Sequence, residues 1–255
     1  MIDLQDILAR MNPNQKINYD RVMQEMTKAW AKEAVRPKIL MHVCCAPCST
    51  YSLEYLTQFA DVTIYFANSN IHPKDEYHRR AYVTQKFVSE FNAKTGQSVS
   101  FIEADYNPNE YILKVRGLEK EPEGGERCRV CFDYRLDKTA LKAVELGFDY
   151  FASALTISPH KNSKIINDVG IDVQKVYTTK YLPSDFKKNN GYRRSVEMCD
   201  EYDIYRQCYC GCVYAASAQG INLLQIKKEA KAFMATKDGK HDFPQIAFKY
   251  EGKEI

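Results

Sequence analysis

Lys38-Ile39-Leu40-Met41-His42-Val43-Cys44-Cys45-Ala46-Pro47-Cys48-Ser49 is the stretch of this 255-residue chain whose reading decides the fold. An apolar run, Lys38 to Val43, gives way at once to thiols and then to a helix-like segment. Cys44, Cys45 and Cys48 therefore fall where a first strand hands over to a helix. In open α/β sheets ligands bind in the crevice beyond the carboxyl ends of the strands. Here that crevice is expected to hold sulfur.

Outward from this junction, apolar runs alternate with longer amphipathic segments. Strands are expected near 38–43, 62–67, 99–104 and 150–155, with a weaker one near 173–177; helices are expected near 49–60, 75–95, 108–116, 131–147 and 161–169. Strands separated by helices are the pattern of a parallel sheet with right-handed crossovers. The expected fold is a doubly wound, mostly parallel α/β sheet. Residues 1–37 read as an N-terminal helical preface, with Val22, Met26, Ala29 and Trp30 at helical spacing, Asn18 as its cap and Pro37 as its close. Residues 38–215 form the α/β domain, and 216–255 a C-terminal basic helix (223–235) and a tail with one short apolar patch. Two segments interrupt the rhythm. Residues 117–127 are charged and glycine-bearing, a surface loop leading into Cys128. Residues 178–212 are long, rich in Lys, Tyr and Asp, and expected to lack regular structure.

The composition bounds the function. The hydrophobic fraction of 45% and charged fraction of 27% are ordinary for a globular protein. No apolar run approaches the roughly 20 residues a membrane helix needs, and the acidic start Met1-Ile2-Asp3-Leu4-Gln5-Asp6 is unlike a signal peptide. The protein is expected in the cytoplasm, with no membrane partner. In a reducing compartment nine clustered cysteines point to metal binding or redox catalysis more than to a disulfide framework. The net charge of +3 sits in the C-terminal third: residues 180–255 carry 13 Lys and Arg against 10 Asp and Glu.

Three cysteine groups stand out: Cys44-Cys45-x-x-Cys48, Cys128-x-x-Cys131 and Cys210-x-Cys212. An i, i+3 pair at a helix start lets two sulfurs converge on one ion or cluster, and the helix N-terminus favours the thiolate. Two such pairs close a tetrahedral zinc site or hold an iron–sulfur cluster; the surplus of sulfurs favours iron–sulfur chemistry. Adjacent Cys44 and Cys45 point apart and suit two different metal atoms, which suggests a second metal beside the first. Cys199 lacks such spacing and reads as a buried, inert thiol.

Other strand ends supply polar groups to the same crevice. Asn68 and Asn70 follow the second strand, with Glu76, Tyr77 and Arg80 on the next helix; Glu76 and Arg80 also satisfy the spacing of a helical ion pair. Thr156, Ser158, His160 and Lys161 follow the fourth strand. No glycine loop of the kind that cradles phosphates is present, which argues against ATP or NAD.

His42-Val43-Cys44-Cys45-Ala46-Pro47-Cys48, Asn68-x-Asn70-Ile71-x-Pro73-x-x-Glu76-Tyr77, Glu123-Gly124-Gly125-x-Arg127-Cys128-x-x-Cys131-Phe132, Ser158-Pro159-His160-Lys161 and Tyr205-Arg206-Gln207-x-Tyr209-Cys210-Gly211-Cys212 together resemble the cobalamin-independent epoxyqueuosine reductases, over about residues 38–215. The resemblance implies a fold like that of the adenine-nucleotide α-hydrolases with the ATP loop replaced by thiols. It implies reduction of epoxyqueuosine to queuosine at the tRNA wobble position, the last step of queuosine synthesis. It also implies a [4Fe-4S] cluster held by Cys44, Cys45, Cys128 and Cys131, with a mononuclear iron as the candidate second metal. Cys48 stands outside that ligand set, as an extra ligand or a spare thiol. On this footing His160 or Lys161 protonates the leaving oxygen, and Cys210 and Cys212 relay electrons from an external donor through a disulfide or serve as ligands. Asn68, Asn70, Glu76, Tyr77, Arg80, Arg127, Thr156 and Ser158 are the expected substrate-binding residues. The tRNA is expected along Lys187, Lys188, Arg193, Arg194, Lys227, Lys228 and Lys231, with the modified base turned out into the crevice. The rival readings are a zinc-stapled tRNA-binding module without catalysis and an iron–sulfur tRNA sulfur-transfer enzyme.

Overall fold

The computed structural model describes residues 2, 4–9, 16–237, 243 and 246–252. Parts of the expected preface (1, 3, 10–15) and tail (238–242, 244–245, 253–255) lie outside them. In chain order the elements are α1 (Leu4–Leu8), α2 (Tyr19–Lys32), β1 (Lys38–His42), α3 (Ala46–Leu56), β2 (Asp61–Phe66), α4 (Lys74–Thr95), β3 (Ser100–Glu103), α5 (Pro108–Lys114), α6 (Glu126–Glu145), β4 (Tyr150–Ser153), α7 (Ser163–Gln174), β5 (Lys180–Tyr181), α8 (Gly191–Glu201), α9 (Val213–Ala218), α10 (Leu223–Ala235) and β6 (Phe248–Tyr250). A short 3-10 turn, Ala154–Ile157, follows β4.

The strands form one sheet in the order β5-β4-β1-β2-β3-β6, parallel throughout. The expected doubly wound α/β architecture is what the chain adopts. Winding runs outward from β1 through β2 to β3 and restarts on the other side of β1 with β4. The switch point, where a ligand crevice opens, lies between the carboxyl ends of β1 and β4. Cys44 follows one of these strands and Lys161 the turn after the other.

Local sequence explains the elements. Asn18 caps α2 by accepting from the Arg21 amide at 3.2 Å, and fully buried Trp30 packs on Tyr150 of β4, donating to its hydroxyl at 3.3 Å. The interior of the sheet is continuous apolar side chain: Ile39, Leu40 and Met41 of β1, Ile64 and Phe66 of β2, and Phe151 of β4 are fully buried, as both-face burial requires.

Four expectations differ from the structure. Residues 173–177 are not a strand: Ile166, Val169 and Val173 are buried at helical spacing, so α7 runs on to Gln174, and the strand comes later as the two-residue β5. Gly170 makes this packing feasible, because a Cβ there would meet the Tyr181 ring at 2.2–2.5 Å. The long stretch 178–212 contains α8, whose buried face is only Gly191, Ser195, Met198 and Cys199. The apolar patch of the tail forms β6, with Phe248 opposite Phe101. Finally α6 starts at Glu126, which puts Arg127, Cys128, Cys131 and Arg135 on one helix.

Candidate functional site: a thiol-lined crevice

Cys45 is the residue before α3, extended, with Pro47 in the first turn. That entry swings three sulfurs together, so Cys44 and Cys45 converge instead of pointing apart as expected: Cys44 to Cys45 is 3.5 Å, Cys44 to Cys48 is 3.6 Å and Cys45 to Cys48 is 3.2 Å. All three are buried, and among the described residues no other trio of His, Cys, Asp or Glu converges in this way. Hydrogen bonds from Cys45 and Cys48, then the charges of Lys161 and Arg135, hold the Cys44 thiol well below its ordinary value. Burial pushes Cys45 up to about 12, and bonding to Cys44 and Cys45 raises Cys48. Each sulfur thus lies within hydrogen-bond reach of the other two. A tetrahedral ion with metal–sulfur bonds of about 2.3 Å holds its sulfurs roughly 3.8 Å apart. The observed spacing fits one ion after slight expansion, and the donor set suits zinc or iron. Cys48 belongs to this group by geometry.

The other thiols line a narrow cleft beside the triad, about 30 Å³ in free volume, shared by Cys128, Cys131, Cys210, Cys212, Tyr111, Arg127, Arg135, His160 and Lys161. Cys128 Sγ accepts from the Gly124 amide at 3.2 Å. Burial pushes Cys131 up to about 12, and Cys212 Sγ accepts from the Tyr111 hydroxyl at 3.4 Å. A larger cavity of about 390 Å³ adjoins it, lined by Cys44, Cys48, Glu123, Ser158, His160, Lys161, Gln207 and Tyr209 among others. His160 and Lys161 face both spaces. Gln207 donates to Cys45 Sγ at 2.9 Å, tying the strap 205–212 to the triad.

Two cations at this site are not neutralised by carboxylates. Arg135 is buried; its Nε donates to the Cys131 carbonyl at 3.2 Å. Burial opposes its charge, and the sulfurs of Cys131, Cys44 and Cys210 restore it. Lys161 behaves likewise: burial works against the ammonium, and Cys210, Cys44 and Cys48 outweigh it, so its pKa is raised. Among the described residues neither cation has a carboxylate within ion-pair distance. A buried charge is tolerated only with a partner, and of the nearby thiols it is Cys44 that is shifted toward the anion and favours both cations. Such surroundings suit an anionic thiolate–metal centre.

The remaining expected site residues divide. Ser158 lines the larger cavity. Asn68 closes on the protein, facing His42 Nε2 at 3.2 Å and donating to the Val43 carbonyl at 2.8 Å. Asn70 is fully buried with both side-chain ends unpartnered. Tyr77 donates to the Ala104 carbonyl at 3.2 Å, and Thr156 bonds Ser184 at 2.8 Å. Glu76 and Arg80 form a buried ion pair at 2.7 Å. Arg127 donates to the Leu118 and Glu119 carbonyls at 3.2 and 3.0 Å, knotting the 117–125 loop while lining the cleft. Of the expected tRNA contacts, Arg193 and Arg194 are paired with Glu197, Glu54 and Glu201. Lys187 donates to the carbonyls of Thr156 and Lys161 at 2.9 and 3.2 Å. Lys188, Lys227, Lys228 and Lys231 remain exposed. Arg135, Tyr111 and Gln207 were not named as site residues; the available signals were Arg135 four residues after Cys131 on a helix and Gln207 within the quoted cysteine motif.

A parallel sheet whose switch point carries thiols, where a nucleotide-binding sheet carries a phosphate loop, defines an α/β protein with a candidate thiolate metal centre. Residues 39–218 match the family model described as epoxyqueuosine reductase QueH. The chain is 83% identical over its whole length, and the whole of the relative, to epoxyqueuosine reductase QueH of Streptococcus pyogenes serotype M1. It is 59% identical to that of Staphylococcus epidermidis over 92% of this chain and 99% of the relative, and 32% identical to that of Thermotoga maritima over 69% and 89%. The chain belongs to the QueH family of epoxyqueuosine reductases and is an oxidoreductase. Among the described residues no helix is long and apolar enough to cross a membrane.

Proposed function

We propose that this chain reduces epoxyqueuosine to queuosine in tRNA within the 390 Å³ cavity beside the Cys44–Cys45–Cys48 triad, in the cytoplasm, with residues 38–215 as the catalytic unit. The observation that carries the mechanism is the convergence of the Cys44, Cys45 and Cys48 sulfurs beside a cavity that His160 and Lys161 also line. Both C–O bonds of the epoxide break, a C=C bond forms, two electrons and two protons enter and water leaves. Cys44, Cys45, Cys128 and Cys131 are the candidate holders of a [4Fe-4S] cluster, with Cys48 available to a mononuclear iron beside it; when bound, such a centre supplies electrons at low potential and a Lewis acid.

The protein's own groups handle binding and protons. The Lys161 ammonium, at the junction of the two spaces, donates to the oxygen as negative charge grows on it, and exposed His160 at the rim returns the proton from solvent. Lys187 fixes the carbonyl backbone that carries Lys161. Ser158, Gln207 and Tyr209 line the space for the turned-out base, and Lys188, Lys227, Lys228 and Lys231 meet the phosphates. Cys210 and Cys212 pass electrons from an external donor toward the triad.

The spacing of the triad also suits a single zinc ion, which is the second reading. Iron and sulfide analysis with electron paramagnetic resonance on anaerobically purified protein separates the two. Iron, a cluster signal and formation of queuosine in epoxyqueuosine tRNA are expected. A colourless, zinc-only protein that stays inactive after cluster reconstitution overturns the proposal.

A further inference from the structure

The N-terminal turns of α4 and the strap 205–212 are joined by an ionic assembly that the chemistry above does not use. Glu76 is fully buried, and its carboxylate accepts from Arg79 Nε and Arg80 Nε, each at 2.7 Å. Both guanidinium groups then reach across to the strap. Arg80 donates to the Cys210 carbonyl at 3.1 Å and the Tyr209 carbonyl at 3.2 Å. Arg79 donates to the Tyr205 hydroxyl at 2.5 Å and stacks 3.9 Å from that ring. Two further bonds close the contact from residue 72: its amide donates to the Gly211 carbonyl at 2.8 Å, and its carbonyl accepts from the Tyr209 hydroxyl.

Gly211 shows how close the approach is. Its φ of +114° is one that side-chain-bearing residues rarely adopt, and a Cβ would meet Ile71 at 2.9 Å and Arg80 Nη1 at 3.1 Å. The strap is thus seated on α4 by backbone, with Cys210 and Cys212 on either side of the seated glycine. A buried ion pair by itself is weak evidence for stability. One whose guanidinium also donates to two carbonyls of a single segment, as Arg80 does, fixes that segment's position.

We infer that Glu76 and Arg80 are positioning residues: they hold Cys210 and Cys212 in register with the thiol crevice and do not bind the substrate. The consequence for turnover rests on the proposed role of Cys210 and Cys212 in electron supply, whereas the positioning itself does not.

Differential alkylation of anaerobically purified full-length protein, read by peptide mass spectrometry at each cysteine, tests the assignment without tRNA. In Arg80→Met and in Gly211→Ala the labelling rates of Cys210 and Cys212 are expected to rise at least tenfold, with Cys199, buried on α8, still protected. Arg80→Lys is expected to restore part of the wild-type protection. Unchanged rates at Cys210 and Cys212, with Cys199 protected, overturn the inference even if thermal stability falls. If Arg80→Met exposes Cys199 as well, it has lost its fold, and Gly211→Ala, which leaves the ion pair intact, decides. Assayed on epoxyqueuosine tRNA, both variants should lower kcat with KM unchanged. A labelling effect without that loss rejects the relay role of the thiols and leaves the clamp standing.

Discussion

The two ends of the parallel sheet are built from different chemistry. At the amino end, between β1, β2 and the loop after α4, the Arg36 and Asp61 charges close on near neighbours. Arg36 pairs with Asp61 at 2.6 Å and donates to the Thr57 and Ala60 carbonyls, and Asp149 accepts from the Lys38 amide at 2.8 Å. A cavity of about 520 Å³ opens there, larger than the one at the carboxyl end, yet no cysteine lines it. At the carboxyl end, Lys161 and Arg135 face sulfurs, and Asn70 has no partner. The difference teaches that unfilled chemistry marks the site better than volume does. Groups that folding alone would not leave unpaired are those a ligand or metal must complete.

The largest expected effect lies in the triad. Serine at Cys44 or Cys45 should leave turnover on epoxyqueuosine tRNA more than about 100-fold below wild type, with bound iron per chain falling in parallel. A variant that keeps its metal and its rate breaks the contrast at its centre. Lys161→Met removes the proposed acid, and single-turnover conversion of the tRNA should slow on the order of 100-fold, while the metal content stays that of wild type. A wild-type rate would shift the proton donor to another group.

A third, smaller effect separates the crevice from the sheet edge next to it. Glu103 ends β3, where burial, opposed by hydrogen bonds from Tyr77 and Gln85, pushes its carboxyl up to about 7. The folded state therefore prefers the protonated acid. Its contribution to stability is full below the unfolded value near 4.5 and lost as pH rises through about 7, up to about 3 kcal/mol in all. Denaturant titrations at pH 5 and pH 8 should show wild type losing stability over that interval and Glu103→Gln losing less; equal slopes would discard the assignment. The smallest effect belongs to the amino end. Arg36→Ala breaks an exposed pair and two bonds to the Thr57 and Ala60 carbonyls and should cost about 1–2 kcal/mol, with turnover unchanged. An activity loss there would erase the distinction between the two ends.

Much of this was legible before any coordinates. The strand runs, the strand-to-helix handover at Cys44 and Cys45, and the approach of residues after β1 and β4 follow from periodicity and sheet topology. Three kinds of feature were not legible. Helix α8 buries Gly191, Ser195, Met198 and Cys199, too small and mixed a set to announce a period. Strand β5 has only two residues, and in the neighbouring stretch 173–177 Val173 belongs to α7 while Val176 is exposed beyond it. Glu76 and Arg80 had the spacing of a helical pair, which is what they are, but the residues they serve lie about 130 positions away.

The sequence by itself determined the class of chemistry, because thiol spacing, strand periodicity and the missing phosphate loop are local properties of the chain. Only the tertiary structure decided which groups meet. It joined Cys48 to Cys44 and Cys45 through the turn into α3, brought Arg135 and Lys161 to the sulfurs, and seated Cys210 and Cys212 against Arg80. The physical reason is that these contacts depend on burial and on long-range register, which the order of strands in the sheet sets and no local pattern encodes.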